Sequence, residues 1–346
     1  MSGSKVSSLR AFREARQSLR PWAVVLAGGG GHRVQGLTKS ATGESVPKQF
    51  CSLSRRECLF ELALERAFGI AGPQRACAVV AAQHRRWWSS PLLGMPLGNI
   101  FIQPENRGTG VGILFSLLHI EGRDKDATVV FLPADHNFRD ENTLARSVKL
   151  ASRFASANAD LVYLLGTKPQ FADPEMSYIV PTGWPAAGLS GVKELVERPY
   201  AGSAAALIAH GALWNMSIVA GSVRALLKLF PASFGYLVDE MRAAVGSPLL
   251  SYRSRLALGR LYADMPTLDF GRDVLASHPE NLKLQQVPPC GWSDLGTPAR
   301  LSATIQNVRR FLAQPEPTSP RYLDLVQTGI KTATAASKPG RAGALV

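Results

Sequence analysis

"LAGGGGHR", residues 26–33, follows the apolar run "WAVV" and ends in a guanidinium. Four consecutive glycines are too many for a helix and too local for a flexible linker. Two familiar glycine motifs fail here. The dinucleotide fingerprint G-x-G-x-x-G finds Gly28 and Gly30, but Arg33 stands in the third position. The Walker pattern G-x-x-x-x-G-K-[ST] has no match, because no glycine here precedes Lys and then Ser or Thr. What remains is a strand running through Ala27 into bare backbone. The N–H groups of Gly28, Gly29, Gly30 and Gly31 can converge there without Cβ obstruction, forming an anion nest. Arg33 adds a planar, permanently charged fork suited to phosphate oxygens.

Around this loop, apolar runs of strand length alternate with helical patterns. "WAVVLA", "ACAVVAA", "NIFIQ", "ATVVFLP" and "LVYLLGT" read as strands; "ECLFELALERAFG", "GILFSLLHIEG" and "ENTLARSVKLASRFASAN" carry apolar residues at helical spacing. Such alternation through Thr167 predicts an α/β fold with a mixed, mostly parallel central sheet covered on both faces. Beyond Thr167 the pattern loosens. It predicts short strands around Ile179, Val192 to Val196 and Ala206, then helices over Val223 to Leu229 and Tyr236 to Val245, as an added lobe would give. The expected organisation is a basic flexible arm over 1–20, an ordered domain over 21–314 with halves at about 21–167 and 168–300, and a mostly disordered tail over 315–346.

Bulk properties narrow the class. The chain has 346 residues, 46% hydrophobic and 19% charged, and no apolar stretch of membrane-spanning length. Its first residues lack a secretory core, so a cytoplasmic location is expected, with no membrane partner. Cys51, Cys58, Cys77 and Cys290 have no close metal-type pairing and read as free thiols. The net charge of +13 raises nucleic-acid binding. The positive residues are scattered, though, with five in the first 21 residues, and polyphosphate ligands explain the excess as well. No nucleic-acid partner is expected.

Further motifs extend the loop's chemistry. "VPKQF" holds Lys48 on a rigid lead-in, a second cation for the same phosphates. In "FIQPENRGTG" a strand ends at Gln103, and Asn106, Gly108 and Thr109 turn into a helix; Gln103 and Asn106 offer donors and acceptors for a base edge. "VVFLPADH" puts Asp135 just past a buried strand, with His136 read as structural, and "GWSDLG" offers Asp294. Two carboxylates from separated strands can converge on one Mg²⁺.

Taken in order, "LAGGGGHR", "PKQF", "QPENRGTG", "LPADH", "LVERP", "LWNMS" and "GWSDLG" resemble the core of the sugar-1-phosphate nucleotidylyltransferases, and among them mannose-1-phosphate guanylyltransferase. The resemblance spans roughly residues 21 to 300. It implies a Rossmann-like nucleotidyltransferase fold with a sugar-binding lobe. The implied substrates are a nucleoside triphosphate, GTP foremost, and a sugar-1-phosphate, mannose-1-phosphate foremost. The resemblance also implies that pyrophosphate leaves and that Mg²⁺ is the cofactor. The implied catalytic residues are Arg33, Lys48 and Asp135, with Asp135 and Asp294 as metal positions. Gly28 to Gly31 would cradle the triphosphate, with Arg33 on its β and γ groups, and Gln103, Asn106 and Thr109 would lie along base and ribose. Glu197 matches a carboxylate for sugar hydroxyls, Arg198 a cation for the sugar phosphate, and Asn215 the asparagine of the sugar pocket. "DPEMSYI" keeps Tyr178 of that pocket but lacks the family's flexible glycines. His32 stands where the family has a threonine, and Met216 adds bulk beside Asn215. The readings left open are another nucleotide with a glucose-type phosphate, a nucleotide-sugar-binding regulatory homologue with impaired catalysis, and a homodimer. No cupin-like or β-helical second domain of the kind many relatives carry is expected within these 346 residues.

Overall fold

Strand β1 (Trp22–Ala27) distributes its side chains alternately to two faces, as the pleat requires. Trp22 and Val24 enter one hydrophobic cluster, while Ala23, Val25 and Ala27 enter another. The computed structural model describes residues 20–40, 42–54, 56–183, 188–245 and 252–312; for His32, Ala201, 252–255 and 311–312 it describes the backbone alone. The expected arm, apart from Arg20, and the expected tail lie outside these residues.

The other strands are β2 (Ala76–Ala81), β3 (Ile100–Gln103), β4 (Thr128–Pro133), β5 (Val162–Thr167), β6 (Ser177–Pro181), β7 (Leu189–Glu197), β8 (Leu213–Ser222) and β9 (Leu282–Val287). They form one sheet in the order β3-β2-β1-β4-β8-β5-β9-β7-β6. β1 to β4 pair in parallel, as do β5 and β9, while β8 runs antiparallel to both β4 and β5 and β7 runs antiparallel to β9 and β6. The sheet is therefore mixed: seven of its nine strands run in one direction, and β7 and β8 run in the other. The start of β8 also pairs with β6 through Trp214 and Leu213.

The helices are α1 (Leu59–Ala71), α2 (Arg85–Trp88), α3 (Thr109–Glu121), α4 (Glu141–Ala157), α5 (Ala201–Ala209), α6 (Val223–Lys228), α7 (Gly235–Val245), α8 (Tyr252–Asp264) and α9 (Pro298–Leu312). Phe60 and Leu64 of α1 and Leu144 and Val148 of α4 cover one face of the sheet. Ile113 and Leu117 of α3, with Leu226, Met241 and Tyr262 from α6, α7 and α8, cover the other. A smaller cluster of Met176, Tyr178, Val180, Ala204 and Trp214 fills the space beside β6. None of the described helices is long and apolar enough to cross a membrane.

One expectation is corrected. The strand placed around Ala206 is helix α5, because "AGSAAALIA" is alanine-rich and alanine is the best helix former. The chain divides into two units, Met1–Ile305 and Gln306–Val346, of which the first contains the sheet.

Candidate active site

Parallel strands present their carboxyl ends to a common crevice, and four of the loops there carry the residues singled out above. The glycine loop leaves β1 beside Gln103, the last residue of β3: a Cβ at Gly28 would lie 2.8 Å from the Gln103 amide nitrogen. At Gly31 the chain turns with φ +65°, and a Cβ there would lie 2.9 Å from the backbone nitrogen of Lys48. Both the turn and this contact require glycine. Gln49 Nε2 donates to the carbonyls of Ala27 and Gly29 at 3.1 and 2.7 Å, and Gln35 Nε2 donates to that of Gly30 at 3.3 Å. Side chains thus hold the carbonyl edge of the loop. Among the described residues, none of the N–H groups of Gly28 to Gly31 donates to a protein acceptor. An anion nest requires such an unengaged amide edge.

Lys48 begins a short 3-10 turn after Pro47 and is buried, at 5% exposure. An ammonium taken out of water needs compensation, and it has two partners. Nζ lies 2.9 Å from Asp135 Oδ2 and donates to the backbone carbonyl of Asp294 at 2.6 Å. Asp135 follows β4 directly. Its segment is joined to that of Asp294 by paired hydrogen bonds between Asn137 and Ser293, 2.9 Å in each direction. The structure therefore brings Lys48, Asp135 and Asp294 together with the glycine loop.

The electrostatics follow from these neighbours. Burial works to raise the Asp135 pKa, but Lys48 and then His136 outweigh it and hold the carboxyl below its ordinary value. His136 is buried; burial lowers its pKa, Lys48 adds to that, and Asp135 opposes it. Its Nδ1 accepts a hydrogen bond from Trp292 Nε1 at 3.1 Å, which leaves the proton of the neutral ring on Nε2, 3.8 Å from Asp135 Oδ1. For Asp294 burial again works upward, and His136 and Arg300 outweigh it. Arg300 Nε and Nη2 donate to its two oxygens at 2.7 and 3.2 Å.

Hard carboxylate oxygens suit a divalent cation. Asp135 keeps Oδ1 clear of Lys48, and about a third of its side chain is accessible (35%), so it fits such an ion. Asp294 offers the same oxygen chemistry on the adjoining segment, with the Arg300 fork across it. Among the described residues no group of three or more His, Cys, Asp or Glu side chains is gathered as a metal cage.

The remaining predicted residues divide. Arg33 is half exposed, with Nη1 3.8 Å from Glu175 Oε2. Gln103 is buried and accepts from the Tyr262 hydroxyl at 3.2 Å. Asn106 Oδ1 accepts from the Gly108 amide at 3.0 Å, and Thr109 Oγ1 accepts from the Phe270 amide at 2.9 Å. Gly108 meets a local demand: with φ +89°, a Cβ there would lie 2.3 Å from the Leu268 carbonyl oxygen. Glu197 and Arg198 are exposed at the end of β7, where Ser177 donates to Glu197 at 2.6 Å. Asn215 is half-buried and accepts from the Ser217 amide at 2.9 Å. Tyr178 is a correction. It is fully buried and its hydroxyl is spent on the Asp173 backbone, so it cannot line a sugar pocket. The His32 side chain lies outside the described residues.

Sequence reasoning missed Gln49 and Arg300. Gln49 stands inside the quoted "PKQF", but only its partners, carbonyls 20 and 22 residues away, reveal its part. Arg300 carries no sequence signal beyond lying near a helix start.

The model of the nucleotidyl transferase family matches residues 22–310. The chain belongs to that family. Xanthan biosynthesis protein XanB of Xanthomonas campestris is 28% identical over 289 residues, covering 79% of this chain and 57% of that protein. Alginate biosynthesis protein AlgA of Pseudomonas fluorescens is 28% identical over 296 residues, covering 81% and 57%. A mannose-1-phosphate guanylyltransferase of Escherichia coli is 27% identical over 219 residues, covering 59% and 45%. This nucleotidyl transferase thus spans little more than half the length of XanB and AlgA. Among solved structures, a mannose-1-phosphate geranyltransferase from Thermus thermophilus aligns with a TM-score of 0.66 at 22% identity, over 85% of this chain and 79% of that one. A UDP-glucose pyrophosphorylase complexed with UDP-glucose aligns at 0.51 and 12%, over 84% and 99%. Both place the chain in the Rossmann-like nucleotidyltransferase fold.

Proposed function

We propose that this family member joins a nucleoside triphosphate to a sugar-1-phosphate, with GTP and mannose-1-phosphate as the favoured pair. The observation that carries the reading is Lys48. Its buried ammonium pairs with Asp135 while its backbone packs against Gly31, at the end of a loop whose four glycine amides have no protein acceptor among the described residues. That combination suits a polyanion. The naming of E. coli and other relatives as mannose-1-phosphate guanylyltransferases supports the choice of substrates.

In this reading the phosphate oxygen of the sugar attacks the α-phosphorus, the bond from that phosphorus to the β-phosphate oxygen breaks, and pyrophosphate leaves. Both reactants are polyanions, so the protein's work is to position them and offset charge. The glycine amides hold the triphosphate, and Arg33 exchanges Glu175 for its outer phosphates. Lys48 takes up charge developing around the α-phosphorus, and His136 keeps the Asp135 carboxylate oriented. Asp135 and Asp294 would hold Mg²⁺, which would supply charge neutralisation for the phosphates when bound. Glu197 and Arg198, both exposed, would take the sugar hydroxyls and the sugar phosphate. We assign the reaction to the cytoplasm, in keeping with four free cysteines.

Pyrophosphate release, measured with four nucleoside triphosphates against mannose-, glucose- and fucose-1-phosphate in Mg²⁺, tests this directly. GTP with mannose-1-phosphate is expected to give the highest kcat/KM. Turnover with no pair would leave a binding role instead.

A further inference from the structure

Arg300 is the residue that the reaction scheme leaves unexplained. Its guanidinium spans two carboxylates. Nε and Nη2 clasp Asp294, while Nη1 bonds Asp173 Oδ2 in the turn before β6. All three side chains are largely buried, at 12%, 16% and 11% exposure for Arg300, Asp294 and Asp173. Asp294 Oδ1 already accepts from the Gly296 amide at 3.0 Å as well. A cation directed at Asp294 must therefore compete with a fixed, permanently charged fork.

We infer that Arg300 is an internal counter-ion for Asp294, a positioning residue that a divalent cation must displace. The inference rests on Asp294 being a metal oxygen, as proposed above. The clasp can open because Arg300 keeps a second partner. Letting go of Asp294 leaves the guanidinium on Asp173, so neither exchange strands a bare buried charge. Asp173 also shapes the turn that carries Glu175, through Oδ1 accepting the Glu175 amide at 2.9 Å, and Glu175 is the partner of Arg33. One turn thus holds the counter-charges of both arginines, one on the phosphate side of the site and one on the metal side.

The test is direct binding of Mn²⁺ to the substrate-free protein, followed by electron paramagnetic resonance of the free ion, with melting temperature measured in parallel. Arg300→Gln is expected to bind Mn²⁺ roughly tenfold more tightly than the unmodified chain, the order of a competitive coupling. It is also expected to show a larger rise in melting temperature on adding the ion. Arg300→Lys, which keeps charge but loses the fork, should lie between the two and serves if the glutamine variant does not fold. Asp173→Asn removes the alternative partner and should weaken Mn²⁺ binding. Equal or weaker binding in both Arg300 variants overturns the inference. The underlying reading is checked separately: if Asp135→Asn and Asp294→Asn both retain full pyrophosphate release, the metal assignment itself is wrong.

Discussion

Lys48 holds two segments of the fold together at the point where the proposed chemistry needs a cation. Its ammonium ties the segment after β4 to the segment after β9, through Asp135 and the Asp294 carbonyl. In the proposed reaction the same charge faces the α-phosphorus. Removing one preorganised contact of this kind costs on the order of 3 kcal/mol in the transition state. Lys48→Ala is accordingly expected to lower kcat about a hundredfold, with the far-ultraviolet circular dichroism spectrum retained. A wild-type kcat in that variant would remove Lys48 from the catalytic group. The sequence made Lys48 and Asp135 legible because each stands in a short, chemically unusual loop next to a strand. Tyr178 was misread for the opposite reason. A tyrosine in a motif looks like a ligand, and only the packing around Trp214 and Ala204 reveals a core residue. Arg300 was invisible because its partners lie 6 and 127 residues away in the chain.

At the scale of elements, the junction between α3 and the segment around Leu268 sets the nucleotide-side loop. Leu268 donates to the Arg107 carbonyl at 2.9 Å and accepts from the Gly110 amide at 2.8 Å. Gly108 lies between these two bonds with its backbone in the left-handed region. Gly108→Ala forces strain and a backbone collision together, and it is expected to destabilise the fold by roughly 2 kcal/mol or more. In a chain of this size that lowers the melting temperature by about 3 °C or more. Gly29→Ala is the control: its Cβ would meet nothing within 4 Å, so stability should hold. Equal melting temperatures for the two variants would refute this account of Gly108. The first five strands were legible from their apolar runs, to within a residue at each end. β9, "LKLQQV", was not read as a strand, since its Lys and Gln break the apolar run. Yet Gln285 is buried there, with its amide bonded to the Ser147 carbonyl at 2.9 Å.

For the whole molecule, one source of pH sensitivity lies away from the active site. His119 of α3 stacks on Phe101 at 4.6 Å and meets Phe115 edge-on at 4.6 Å. Burial, with a smaller contribution from Arg123, lowers its pKa to about 4. The unfolded chain binds that proton near the ordinary histidine value, so unfolding takes up a proton between the two values. This contribution is complete above the ordinary value and is lost as pH falls toward the folded one. Between pH 7 and pH 5 the loss is about 2 kcal/mol. Thermal melts across that range should show it, and His119→Phe should flatten the curve. An unchanged slope in the variant would assign the pH dependence elsewhere.

Strand β8 has a consequence for engineering. It lies between β4 and β5 along its later residues, and it meets β6 near its start. A chimaera that imported the part of a relative after β5 would therefore also import a central strand of the sheet, with its register against β4 and β5. Transplanting sugar preference between relatives should succeed by exchanging loops such as 173–176 and 197–200. Exchange of the whole half would fail, because no cut after β5 leaves the host's sheet complete.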